Sequence, residues 1–173
     1  MRWTVHGERT LYDSDWMRLA LVDVELPSGE RFEHHVVRFP EPASAAVVRD
    51  PERGILLLRR HRFTVDTFSW EVPAGRADHG ESPEDTARRE TTEETGWRPG
   101  PLRSVGSFHP MPGAVDQTFH LFVAHGAEQV GEPDEDEAPQ VDWKPVEEVR
   151  RLMRDGSITD GLTLVALYRA LDE

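Results

Sequence analysis

Three glutamates, Glu90, Glu93 and Glu94, stand at positions i, i+3 and i+4. On a helix these positions share one face. Like charges on neighbouring turns repel, and carboxylate oxygens are the donors that a hard divalent cation prefers. Magnesium or manganese would relieve the repulsion. Taken alone, the same residues also fit a solvated acidic face, because runs of like charge usually face water. Glutamates near a helix C-terminus oppose the helix dipole, a mild sign that something other than helix stability placed them there. The helix itself is well marked. Ser82 can cap its first free N–H groups, Pro83 suits the first turn, and Asp85 completes a capping box. It is expected to run to about Thr95, with Gly96 as a left-handed stop.

The rest of the composition narrows what such a helix could serve. At 173 residues the chain is about one domain long and can bury a core without a disulfide or structural metal. Cysteine is absent, which removes disulfide frameworks, Cys–zinc sites and thiol nucleophiles. The first residues lack the apolar run of a signal peptide, and no stretch reaches a membrane-spanning length. A cytoplasmic protein is the expectation. The formal charge of -13 repels a long nucleic acid, which binds mainly by Lys/Arg neutralisation. A small anionic ligand is still admissible if a divalent cation and a few local arginines bridge the repulsion.

The pattern of elements is strands, one helix, strands, then helices. Residues 17–26 and 31–39 read as a hairpin about Pro27-Ser28-Gly29, and residues 44–49 and 54–60 as another about Asp50-Pro51. Further strands are expected over residues 67–72, 102–109, 118–124 and 141–144. Helices are expected over 146–154 and 158–171, the last with a partly apolar face of Leu162, Val165, Ala166 and Leu171. This order suggests a mixed sheet packed by helices.

From Gly75 to Trp97 the sequence resembles the Nudix box: a glycine, five residues, a glutamate, seven residues, then R-E-apolar-x-E-E-x-G-apolar. Gly75, Glu81, Arg89, Glu90, Glu93, Glu94, Gly96 and Trp97 match at the required spacing. Thr91 departs, standing where the family usually has a larger aliphatic residue; that position points into the core and bears on packing. The resemblance implies an α/β/α sandwich with a mixed sheet. It implies a hydrolase of a nucleoside diphosphate linked to another moiety, with magnesium or manganese as cofactor. Glu90, Glu94 and the backbone carbonyl of Ala74 would be metal ligands, and Glu93 a catalytic residue that binds or supports the metal. Arg89 and Glu81 would form a supporting ion pair, with Gly75 and Gly96 as structural positions.

The flanks resemble the ADP-ribose pyrophosphatase branch. Trp70-Glu71-Val72-Pro73-Ala74-Gly75 is similar to its entry to the box, and Arg59-Arg60-His61-Arg62-Phe63 to its upstream basic and aromatic segment. Arg62 and Arg76 would contact substrate; the forked guanidinium of Arg62 suits a diphosphate. Pro112 lies fifteen residues past Trp97, and Pro112, Gly113 and Gln117 resemble the substrate loop, with Gln117 where relatives often carry glutamate. In the acidic run over residues 132–137, Glu135 aligns with the general base and Glu137 with an added metal ligand. Two parts are expected: residues 1–40, N-terminal strands and a possible dimerisation region, and residues 41–173, the hydrolase domain. A homodimer is implied, in which Trp3 or Trp16 could stack on a base. The histidines at 34, 35, 109 and 120 read as ordinary core or surface residues. Two rival readings stand beside this one: a sanitiser of oxidised nucleoside triphosphates, and a domain that senses ADP-ribose without cleaving it.

Overall fold

The computed structural model describes residues 1–133 and 140–172. Contacts divide the chain into two compact units, residues 1–42 with 109–118, and residues 43–108 with 119–173. The first unit is an antiparallel sheet of β1 (Thr4–Asp13), β2 (Arg18–Glu25) and β3 (Arg31–Arg38). Its central strand supplies the buried side chains Ala20, Leu21, Val22 and Val24. The expected hairpin between β2 and β3 is present, turning at Gly29 with φ 87°. Strand β1 was not anticipated. Its apolar residues show no regular alternation, and its register with β2 shifts twice, at Val5/Gly7 and Thr10/Tyr12. It is exposed at every one of its residues. Segment 109–118 packs on β3: Val37 N–H donates to Ala114 O at 2.8 Å and Asp116 N–H to Val37 O at 3.1 Å.

The second unit is built on a mixed sheet. Its strands are β4 (Ala43–Asp50), β5 (Gly54–Arg62), β6 (Thr67–Glu71), β7 (Ala74–Arg76), β9 (Leu102–Phe108), β10 (Phe119–His125) and β12 (Gln140–Lys144). The path runs β12-β5-β4-β10-β9, with β6 on β5 and β7 on β4. Among the described strands of this sheet only β4 and β10 pair in parallel. A separate pair joins β8 (Trp97–Pro99) to β11 (Ala127–Gln129). The three-residue strands β7, β8 and β11 are too short to show a period, so the sequence pattern missed them. The β4–β5 hairpin is narrower than expected. It pairs only at Arg49↔Ile55 and Asp50↔Gly54, after which β7 takes the edge of β4 and β6 that of β5.

Strand alternation sends side chains to two helical layers. Ala45, Val47, Leu57, Leu121 and Val123 face one way. They pack with Val149 and Leu152 of α2 (Val146–Arg154) and Ala166 and Leu167 of α3 (Gly161–Leu171). Ala46, Val48, Leu56, Phe122 and Ala124 face the other way and pack with Ala87 of α1 (Pro83–Thr95). The unit is thus the expected α/β/α sandwich. Helix α3 starts three residues later than expected because Asp160 caps it, accepting the Thr163 N–H at 2.7 Å. Helix α1 has the expected bounds. Ser82 accepts the Asp85 N–H, and Gly96 closes the helix at φ 73°.

Gly54 shows how tightly the sheet edge is built. Its φ is +103°, and an added Cβ would lie 2.1 Å from the backbone oxygen of Lys144. Neither backbone can yield as a flexible side chain would. Gly54→Ala is expected to destabilise the protein by about 1–3 kcal/mol, measured by urea unfolding; an unchanged midpoint would contradict this.

Candidate active site

Helix α1 and the loop before it are tied together by Arg89. Its Nε donates to Glu81 Oε1 at 3.0 Å and its Nη2 to Glu81 Oε2 at 2.9 Å. The same guanidinium reaches Glu90 at 2.9 Å, Glu93 at 3.0 Å and the carbonyl oxygen of Arg76 at 3.1 Å. Glu81 also accepts the Asp78 N–H at 3.0 Å and the Thr86 hydroxyl at 2.9 Å. Arg89 above all, against a smaller opposing effect of burial, holds the Glu81 carboxyl down to about 2. The expected Arg89–Glu81 ion pair is therefore present, and one cation answers three carboxylates. Thr91 is fully buried, and its hydroxyl bonds back to Ala87 O at 2.6 Å.

The three box glutamates differ in depth. Glu93 is well exposed, its side chain retaining 60% of its accessible surface, whereas Glu90 retains 14% and Glu94 3%. Glu90 fills the space in front of Gly75: a Cβ on Gly75 would lie 2.1 Å from both Cδ and Oε1 of Glu90. Glu94 is held by the guanidinium of Arg60 and accepts the Ala74 N–H at 2.9 Å. Burial pushes the Glu94 carboxyl up to about 7, against the opposing pull of Arg60 and of the Ala74 N–H; the charge of Glu90 adds to the rise.

Among the described residues no group of three or more His, Asp or Glu side chains is already gathered around one point as a metal cage. The donors present nonetheless fit a hard divalent cation. Glu90 and Glu94 are one turn apart, close enough for their charges to interact, and the Ala74 carbonyl belongs to the strand they pack against. Such a cation also accepts water in its remaining positions.

The other expected site residues stand on different elements. Arg62 lies at the end of β5, where its Nε and Nη2 clasp both oxygens of Glu71 at 3.0 and 2.6 Å. Arg76 ends β7 and pairs in register with Ala43. Pro112, Gly113 and Gln117 belong to the first unit, where Pro112 and Gly113 line a cavity of about 740 Å³ with Trp3, His34 and Arg38. Gln117 is buried, and its amide donates to Glu41 O at 3.1 Å. Glu135 and Glu137 lie outside the described residues.

Arg60 and Glu71 stand in segments that carry the resemblance, but the sequence reading gave neither a role of its own. Arg60 is 8% exposed and Glu71 2% exposed, and Arg60 Nε lies 3.8 Å from Glu71 Oε2. A signal for Arg60 existed. It continues the alternation of Leu56 and Leu58 toward α1, and a cation on a buried face must find a buried anion.

A NUDIX domain model matches residues 39–162, and a nucleoside diphosphate sugar hydrolase N-terminal domain model matches residues 3–37. The chain is 43% identical over 172 residues to the CMP-5'-(N-acetyl-N-hydroxy-3-aminopropyl)phosphonate hydrolase of Streptomyces rubellomurinus, across 99% of this chain and 83% of that protein. It is 33% identical over 171 residues to the ADP-ribose pyrophosphatase of Bacillus subtilis, across 96% of this chain and 92% of that protein. A crystal structure of an ADP compounds hydrolase superposes with a TM-score of 0.83, covering 99% of this chain and 94% of that one. At 23% identity this match supports the fold alone. Members of the matched family generally use a divalent metal. With the glycine, glutamate and arginine positions of its box all matched and its helix, loop and sheet arranged around that box, the chain belongs to the Nudix family of hydrolases.

Proposed function

We propose that the protein hydrolyses the pyrophosphate bond of ADP-ribose or a related nucleoside diphosphate sugar, giving AMP and ribose 5-phosphate from ADP-ribose. The observation that carries this reading is the pair Glu90 and Glu94, drawn together on one turn of α1 beside Gly75 and Ala74. The similarity to the Bacillus subtilis ADP-ribose pyrophosphatase supports the substrate class. A bound magnesium or manganese would neutralise phosphoryl charge and make water nucleophilic. Glu90, Glu94 and the Ala74 carbonyl would hold it, and Glu93, exposed beside them, would support it. Arg89 keeps Glu90 and Glu93 in place. Arg62 would contact the diphosphate while remaining anchored to Glu71. Glu135 is the proposed base and Glu137 an added ligand, on alignment alone; Pro112, Gly113, Gln117 and Arg76 are proposed substrate contacts. No helix among the described residues is long and apolar enough to cross a membrane, and the cytosol is the proposed location.

We further propose a homodimer formed through residues 1–40. The whole of β1 is exposed, and Trp3, Val5, Leu11, Tyr12 and Trp16 present large apolar surface beside or along it. Exposed apolar patches of this kind mark interaction sites. Sedimentation is expected to give twice the chain mass at micromolar concentration; a monomer there would remove this reading.

A panel of nucleoside diphosphate sugars, nucleoside triphosphates and a CMP-linked phosphonate, assayed with magnesium and with manganese, tests the activity. ADP-ribose or a close analogue is expected to be turned over fastest, and Glu90→Gln to lower kcat by about 100-fold or more. Release of inorganic pyrophosphate from a triphosphate as the dominant activity would favour the sanitiser. Binding of ADP-ribose without cleavage would favour the sensor.

Glu94 also sets a pH dependence. Its folded pKa of about 7 lies above the usual carboxylate value. Its contribution to stability is therefore fully present below the unfolded pKa and is lost as pH rises through about 7. A cation stabilises the ionised form and reverses that loss. The rise in Tm on adding magnesium is expected to grow between about pH 5 and 8, and to flatten in Glu94→Gln. A rise independent of pH in the unaltered protein would contradict this.

A further inference from the structure

Ser44 is fully buried in β4, and its Oγ has no hydrogen-bond partner among the described residues. An alanine there would avoid the cost of stranding a hydroxyl, and such orphaned groups call for a specific explanation. The direction of the side chain supplies one. Ser44 shares the parity of Ala46 and Val48, which pack with Ala87 of α1, while Ala45 and Val47 face α2 and α3. The β4 ladder with β10 is unbroken from Ala43 to Arg49, so that parity holds at Ser44.

On this face Ser44 stands opposite Gly75 in the antiparallel pair of β4 and β7. Opposed residues of such a pair project to the same side, with Cβ atoms about 4.5–5.5 Å apart. Gly75 has no Cβ, and the Glu90 carboxylate occupies its place. By this register the Ser44 side chain projects to the same side of the sheet as the place that the Glu90 carboxylate fills. On its other side, in the parallel register with β10, Ser44 lies beside the half-buried His120. The row His120, Ser44, Gly75 crosses three strands beneath α1.

We propose that Ser44 is a positioning residue for Glu90. Its hydroxyl donates to the Glu90 carboxylate, directly or through a water on a bound divalent cation, and fixes the orientation of the oxygen that faces the cation. This rests on the divalent-cation reading of the site. The hydroxyl has no hydrogen-bond partner among the described residues, and the proposal gives it one when the site is loaded.

The test is the affinity of cation-free protein for manganese, measured by calorimetry, with the cation-free Tm measured alongside. Ser44→Ala is expected to keep or raise that Tm, because no existing bond is lost, and to weaken manganese binding by about tenfold or more, as loss of a ligand-orienting partner does. Glu90→Gln in the same experiment separates the two layers of the argument. If Glu90→Gln weakens binding and Ser44→Ala stays within about twofold of the unaltered protein, the Ser44 proposal is overturned and the cation site stands. If Ser44→Ala lowers the cation-free Tm by several degrees, the hydroxyl is structural and the proposal is again overturned. If the unaltered protein binds no manganese, or Glu90→Gln binds it as tightly, the cation reading falls and this proposal with it.

Discussion

Carboxylates crowded on one helix face stay together only if something answers their charge. Here the answer is divided by depth. At the rim Arg89 serves Glu81, Glu90 and Glu93 through one planar fork. Inside, Arg60 serves Glu94, and at the strand end Arg62 serves the buried Glu71. The alternating chain of guanidinium and carboxylate groups lets a strongly acidic helix pack on a sheet. Burial still holds the Glu94 carboxyl up at about 7, so neutralisation of that group by protein alone is incomplete. The divalent cation proposed for this site would add a positive charge beside that carboxyl.

The sheet contributes shape more than charge. Gly75 leaves the gap that Glu90 enters, and Ala74 on the neighbouring position offers its N–H to Glu94. Both depend on β7 pairing with β4, which happens only because the β4–β5 hairpin opens after two residue pairs. The helix is set over this gap by Ser82 at one end and Gly96 at the other, where an added Cβ would lie 2.4 Å from Gly131 O. Position along α1 and register along β4 together decide which glutamates are sheltered and which, like Glu93, remain in solvent.

Local signals made the helix legible: its cap, its stop and the spacing of its glutamates are all sequence-near features, and each is found where expected. The Arg89–Glu81 pair was expected from the resemblance to the Nudix box alone, and it is present. What could not be read were features set by non-local register. Strand β7 has three residues and no period, so the opposition of Ser44 and Gly75 was invisible. Arg60 and Glu71 carried a faint signal in strand alternation, but their burial depends on which face α1 covers. The irregular pairing of β1 likewise hid a strand whose composition is mostly polar. The assignments of Glu135 and Glu137 fall outside the described residues and rest on alignment.

The parallel ladder of β4 and β10 has a consequence for how the chain reaches this state. It joins residues 43–49 to residues 119–125, whereas the loop and helix carrying the box are contiguous in sequence. Closing a long loop costs entropy before any contact rewards it, so pairings of this kind form slowly. During synthesis the acidic helix emerges before β10, and its central sheet cannot be completed until β10 has left the ribosome. The nascent protein would hold its glutamates without their finished floor, and ligand competence would be among the last properties it acquires.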